Sequence, residues 1–301
     1  MAVAIPYRRE LDFDYGAVAT VDQGIRRVIA NNPSAFTFAG TGTYIIGTGD
    51  VAVIDPGPKD QAHIDALLAA TAGERITHIL ITHTHMDHSP GTELLLQHCD
   101  ARTYGYGPHG AGKAEEGVAV EEGGDMAFVP DEEIRDGDLI SGESWSVECV
   151  YTPGHTSNHM CFAHRESGAL FTGDHVMGWS TSVISPPDGD MAAYMASLEK
   201  LLTRDDRVYW PTHGPCIDEP KPHVEAFIAH RREREVQIFK CIDEGVHSIK
   251  AMVPLMYQGT PEFLYPAAAR SVFAAIEYMV QRGELVTDSA LSLDADYRRP
   301  A

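Results

Sequence analysis

Thr82-His83-Thr84-His85-Met86-Asp87-His88 follows directly on the apolar run Ile76–Ile81. That run has strand length and reads as a buried strand, while Pro90 and Leu94, Leu95 and Leu96 mark a helix opening at Asp87-His88-Ser89-Pro90 and running to about Gln97. His83, His85, Asp87 and His88 therefore sit on a loop leaving a buried strand, where layered α/β proteins place their sites. Imidazole suits zinc, and carboxylate can share the coordination. A lone His-x-His pair is a weak signal. Ligand-competent side chains packed this closely exceed what a hydrogen-bonding cluster needs.

Working outward, the arrangement recurs. Thr152-Pro153-Gly154-His155-Thr156 follows an apolar strand at 145–151, Thr172-Gly173-Asp174-His175 follows one at 169–172, and Pro211-Thr212-His213-Gly214 follows one at 208–210. Each is a strand, a tight turn and a metal-competent side chain, so all can converge on one sheet edge. Upstream, strands are expected at Ala35–Phe38, Thr43–Gly47 and Val51–Asp55, with a hairpin at Gly49-Asp50 and a helix from Lys59 to Ala72. Strand, helix, strand implies an α/β fold with a partly parallel sheet. A further strand is expected at His159–His164, and helices at 191–202 and 224–243. The tail reads as two helices, Ser248–Tyr257 and Pro266–Arg282, then a strand at Glu284–Thr287. The cluster His230-Arg231-Arg232-Glu233-Arg234-Glu235 carries its own glutamates and reads as a solvated face.

Composition narrows the function. The formal charge of −21 repels polyanions and favours a small-molecule substrate over nucleic acid. No window approaches the about 18 uninterrupted apolar residues of a membrane span, and the N-terminal residues lack the order of a secretory signal, so residence in the cytoplasm is expected. Cys99, Cys149, Cys161, Cys216 and Cys241 have no CxxC spacing and read as reduced thiols. Of the 15 histidines, His63, His78, His98, His164, His223 and His247 stand in ordinary hydrogen-bonding contexts. The stretch between Gly105 and Asp138, acidic and glycine-rich, reads as a solvated surface loop rather than a lid over a site. The sequence leaves open whether the chain forms a homo-oligomer.

HxHxDH, then His155, then Asp174, then His213, resembles the metallo-β-lactamase superfamily, with all stations in order between about residues 35 and 215. The stretches TPGHTSNHMCF and LFTGD and the tail are similar to its lactamase-beta-2-like branch, although Gly42 in Gly40-Thr41-Gly42-Thr43-Tyr44 stands where that branch usually has Asn. The resemblance implies a four-layer αββα sandwich over residues 1–225 and a small winged-helix-like C-terminal module over 226–301. It implies that His83, His85 and His155 hold one metal, that Asp87, His88 and His213 hold a second, and that Asp174 bridges them. The family's β-lactamases carry Cys in the second-metal position near Asp174, and its diiron flavoproteins usually replace the second His by Glu. Asp174 and His85 therefore favour a hydrolase with two Zn2+, or another divalent pair such as Mn2+ or Fe2+.

The implied chemistry is attack by metal-bound hydroxide on a small ester, thioester or lactone. Asp87 and His175 are the catalytic candidates, Asp87 orienting the nucleophile and His175 facing the substrate as acid or oxyanion donor. Asp55 is expected to support a histidine N–H. His109 and Trp179 are candidates for the pocket border, and a loop-stabilising hydrogen bond is expected for His159. The alternatives are a metal-dependent ribonuclease of the same fold and a non-catalytic protein stabilised by its metal.

Overall fold

In the computed structural model, which describes residues 4–112 and 123–300, two sheets lie face to face. The first contains β1 (Ala19–Asp22), β2 (Ile25–Ile29), β3 (Gly42–Ile46), β4 (Asp50–Ile54), β5 (Arg75–Leu80), β6 (Arg102–Gly105) and β7 (Glu132–Glu133), side by side in that order. Its β1–β4 half is antiparallel and its β4–β7 half parallel, with α1 (Gln61–Ala70) between β4 and β5 and α2 (Gly91–Leu95) between β5 and β6. The second sheet runs β12 (Val208–Pro211), β11 (Ala169–Gly173), β10 (Met160–His164), β9 (Ser146–Tyr151) and β8 (Leu139–Ser141), with α3 (Met191–Leu202) joining the parallel pair β11 and β12.

Alternation along the strands sets the layers. Tyr44, Ile46, Ala52 and Ile54 enter one core cluster with Phe162 and Phe171 of the second sheet, whereas Ile45, Val51 and Val53 enter another with Ile64 and Leu67 of α1. On the second sheet's outer face Cys161 and Leu170 meet Tyr194 and Leu198 of α3 and Phe227 of α4 (Pro220–Asp243). The result is the helix, sheet, sheet, helix sandwich that the resemblance implies. Every one of the five cysteines is free, and no helix among the described residues is long and apolar enough to cross a membrane.

The tail forms a helical unit with its own core. The C-terminal half of α4, α5 (Ile249–Met256) and α6 (Tyr265–Gln281) bury Ile238, Met252, Ile276 and Met279 around Tyr297. Since α4 is continuous from 220 to 243, its first half belongs to the sandwich and its second half to the tail.

Several expectations change. Ala35–Phe38 is a turn rather than a strand, because Ser34 Oγ accepts the Phe36 and Thr37 N–H groups at 3.0 and 3.1 Å and Phe38 takes a φ of 59°. The helix after the histidines starts only at Gly91, since residues 85–90 form turns that bury Asp87, His88 and Ser89 and leave Met86 exposed. At 284–287 only Val286 pairs, with Arg298. Arg231 is buried at 7 % exposure and Arg234 is half-buried, so that part of the 230–235 cluster is not a solvated face; both lie on the side of α4 turned to its neighbouring helices. Residues 113–122 of the acidic stretch lie outside the described residues, but its return at Gly123 and Asp125 hydrogen-bonds Met86 N–H and Thr84 C=O at 2.9 and 2.7 Å.

The two sheets are stitched together at the edge carrying the loops. Met160 N–H donates to Thr82 C=O at 2.7 Å, Gly42 N–H to Thr212 C=O at 2.8 Å, and Tyr44 O–H to Pro211 C=O at 2.7 Å. Gly154 belongs to the same edge: its φ is +138°, and a Cβ there would lie 2.3 Å from Tyr194 Cα. Gly49 has a φ of +76° with nothing within 4 Å. Gly49→Ala should therefore cost only the conformational penalty, about 1 kcal/mol, and Gly154→Ala clearly more, because backbone must move. Urea unfolding of both variants checks the difference.

Candidate metal centre

Four loops at the stitched edge bring the expected ligands into one place. His83 Nε2 lies 3.1 Å from His85 Nδ1, and His155 Nε2 lies 3.2 Å from the same atom. Beside them, His213 Nε2 is 3.1 Å and His88 Nε2 3.4 Å from Asp87 Oδ2. Asp174 Oδ2 stands between the groups, 3.3 Å from His213 Nε2, 3.6 Å from His88 Nε2 and 3.9 Å from His155 Nε2. Ligand atoms of His83, His85 and His155, of His83, His88 and Asp174, and of Asp87, His88 and His213 lie within 4.8 Å of one another in each trio.

The outward nitrogens explain how the rings are aimed. His155 Nδ1 faces Val183 C=O at 2.7 Å, His213 Nδ1 faces Gly40 C=O at 3.2 Å, and His88 Nδ1 faces Asp55 Oδ2 at 2.9 Å. These oxygens can only accept, so each Nδ1 carries a proton and each Nε2 is turned inward. Thr82 O–H donates to Asp55 Oδ2 at 2.7 Å, which leaves its oxygen to accept from His83 Nδ1 at 3.1 Å. Asp55 thus supports a histidine N–H as expected, and also accepts from Thr82 N–H at 2.8 Å and Thr212 O–H at 3.1 Å.

The electrostatics fit cations. Burial, then the neighbouring imidazoles, holds His83 and His85 well below the ordinary histidine value, so both are neutral donors. Burial also opposes charge on His213, but the Asp174 and Asp87 carboxylates outweigh it and push His213 up to about 10. Burial likewise opposes charge on His88, where Asp87, Asp174 and Asp55 prevail and raise it. Those protons occupy the lone pairs a metal would take, so metal uptake releases them. His88 Nε2 and Asp174 Oδ1 are buried with no hydrogen-bond partner, which leaves both positions for a metal ion to satisfy. Neutral imidazoles beside buried carboxylates fit a divalent ion.

The sequence model of the metallo-beta-lactamase superfamily matches residues 37–213. The chain belongs to that superfamily. It is a hydrolase of the group, 34 % identical over 281 residues to the beta-lactamase-like protein 2 homolog of Drosophila melanogaster, a match covering 89 % of this chain and 92 % of that one. It is also 30 % identical to the atrochrysone carboxyl ACP thioesterase dmxR1 of a Cryptosporiopsis species, over 78 % of this chain and 68 % of the relative. In fold it is similar to a beta-lactamase domain protein from Burkholderia ambifaria, with a TM-score of 0.78 at 19 % identity, covering 95 % of this chain and 94 % of the other.

The remaining candidates sit around the centre. His159 accepts the Asp174 N–H at 3.2 Å through Nε2 and meets Thr152 Oγ1 at 2.9 Å through Nδ1, a loop-stabilising pair of bonds. His109 Nδ1 meets Thr84 Oγ1 at 3.0 Å, with its ring 5.8 Å from that of His85. Trp179 packs on Phe38, ring centroids 5.1 Å apart, and close over Gly214. His175 is fully buried, its ring 4.8 Å from Tyr194 and neither ring nitrogen hydrogen-bonded; burial, then the His155 charge, holds it down to about 3.

Sequence reasoning did not find Thr41 and Asn32. Thr41 O–H donates to Asp87 Oδ2 at 3.3 Å, and Asn32 holds Thr41 through bonds of 2.9 and 3.0 Å to its N–H and Oγ1. Gly42 lies against Thr212 C=O and the Arg27 side chain, where a Cβ would come within 3.0 and 3.1 Å. Asp55→Asn would set an amide N–H against donors and deprive His88 of its acceptor. Metal affinity should fall about 10- to 100-fold, with the fold retained by circular dichroism; competition with a chromogenic chelator measures it.

Proposed function

We propose that the chain is a dinuclear zinc hydrolase of small esters, thioesters or lactones. The observation that carries this reading is the position of Asp174, whose Oδ2 approaches histidines of both donor groups. His83, His85 and His155 would hold one ion, Asp87, His88 and His213 the other, and Asp174 would bridge them. Two bound divalent ions would supply Lewis acidity that polarises the scissile carbonyl and lowers the pKa of water. Imidazole-rich, carboxylate-assisted donors favour zinc over harder ions.

This chain's own residues do the rest. Asp87, with Thr41 O–H on Oδ2, holds a carboxylate in fixed orientation at the edge of the centre, suited to direct a nucleophilic water. His175, fully buried with its ring 4.8 Å from that of Tyr194, is better suited to hold the loop that follows Asp174 than to meet the substrate. We assign the catalytic machinery to residues 1–225 and a helical, winged-helix-like role to 226–301. The thioesterase relative supports an acyl substrate, and the −21 charge opposes a polyanion.

Two measurements test this reading. Asp174→Ala should lose both ions and abolish turnover, whereas His155→Ala should keep about one ion per chain; metal analysis that finds two tightly held ions in both variants overturns the assignment. On zinc-loaded protein a small thioester or ester should exceed single-stranded RNA at least about tenfold in kcat/KM, which is about 1.4 kcal/mol of transition-state stabilisation. An RNA preference over every acyl substrate replaces this reading with the ribonuclease.

A further inference from the structure

His109, in Gly107-Pro108-His109-Gly110, belongs to none of the three donor trios. It is half-buried, and its ring centroid lies 5.8 Å from that of His85, a member of the first donor group. Nδ1 meets Thr84 Oγ1 at 3.0 Å, and Nε2 has no hydrogen-bond partner among the described residues. The hydrogen on this ring can be placed from its neighbours. Asn158, 2 % exposed, turns Nδ2 to the Gly107 and Pro108 carbonyls at 3.2 and 3.3 Å and to Thr84 Oγ1 at 2.8 Å, while its Oδ1 accepts the Thr156 hydroxyl at 3.0 Å. Carbonyls only accept, so the amide nitrogen is the atom that faces them and Thr84.

Thr84 Oγ1 therefore accepts from Asn158, and among the described residues its own hydrogen has one acceptor, His109 Nδ1. Thr84 is 1 % exposed, and a buried hydroxyl is seldom left without an acceptor. Nδ1 thus accepts, and the ring hydrogen stands on Nε2. The two ring edges face opposite ways: Nδ1 is turned to the buried Thr84, which leaves the Nε2 edge on the open side of a half-buried residue. Gly124 lies against that edge, since a Cβ there would come within 2.3 Å of His109 Nε2 and Cδ2, and Gly124 pairs with His85 in an isolated antiparallel bridge. The bare backbone at 124 lets Nε2–H stand beside the strand that carries His85.

We propose that His109 is a catalytic residue: its Nε2–H donates a hydrogen bond to the acyl oxygen of the substrate, on the side of the centre formed by His83, His85 and His155. This role rests on the hydrolase reading of the centre. The bond strengthens as that oxygen gains negative charge, and a donor held in place beforehand needs no reorganisation when the charge develops. His109 keeps its hydrogen throughout, so no proton is transferred from it. Thr84 and Asn158 are positioning residues, because together they fix which nitrogen of His109 carries the hydrogen.

His109→Phe removes the donor and keeps a ring, whereas His109→Gln supplies an N–H near the place of Nε2–H. On zinc-loaded protein His109→Phe should lose about 100-fold in kcat for a thioester, with KM changed less than about threefold and metal content unchanged, and His109→Gln should recover at least about tenfold of that loss. Parental kcat in His109→Phe, or an equal loss in both variants, overturns the proposal. Binding of ethyl methylphosphonate, a tetrahedral monoanion, separates this role from the hydrolase reading. The parent should bind it at least about tenfold more tightly than His109→Phe, and its addition should move the Nε2–H proton resonance of isotopically labelled His109 downfield. That binding difference with no turnover of any acyl substrate supports the donor and counts against the hydrolase reading alone. Equal binding by the parent and His109→Phe, or a hydrogen found on Nδ1, overturns the assignment of His109.

Discussion

Asp55 directly follows β4 with a φ of 51°, and its carboxylate accepts from Thr82 N–H, Thr82 O–H, Thr212 O–H and His88 Nδ1. Those partners come from the loop after β5 and the loop after β12, which belong to different sheets. A fully buried charge with this many donors is stable only where all of them arrive together. The carboxylate therefore fixes the sandwich edge and the orientation of His88 at once. The strained backbone at Asp55 is held by the same bonds, as is usual where strain persists at a functional site.

From that anchor the centre is built by acceptors facing outward. Backbone carbonyls at Gly40 and Val183 and the Thr82 hydroxyl receive the far nitrogens of the histidines, so the near nitrogens are turned into the centre. The consequence is a site aimed at metal before metal arrives, with little reorganisation left for binding. Where two carboxylates meet in the centre, His213 and His88 carry protons in the metal-free protein and offset their repulsion.

The helical tail does not stand apart from this machinery. Because α4 contributes Phe227 to the sandwich and Ile238 to the tail, one continuous helix joins the two cores. Arg231 makes a second connection, through Ser182, to the loop that carries the Val183 carbonyl. Loop 175–184 is thus held from both sides, by Tyr194 O–H on the His175 carbonyl at 2.9 Å and by Arg231 on Ser182.

The layering and the chemistry are legible along the chain. The unbroken apolar runs Tyr44-Ile45-Ile46 and Val51-Ala52-Val53-Ile54 require both faces of that sheet to be covered, and ligand-type side chains follow apolar strands at 83–88, 155, 174 and 213. Local pattern misleads at Ala35–Phe38, where the Ser34 hydroxyl outcompetes strand pairing, and at the 230–235 cluster, where charge balance along the chain concealed that two arginines face inward. Which oxygen orients each imidazole, that Thr41 meets Asp87 and that Asn32 holds Thr41 are set by the folded arrangement alone. The reason is physical: strand and helix periods are local and repeat along the chain, whereas a hydrogen bond between Asp55 and Thr212 depends on the register of two sheets, which no spacing in the sequence encodes.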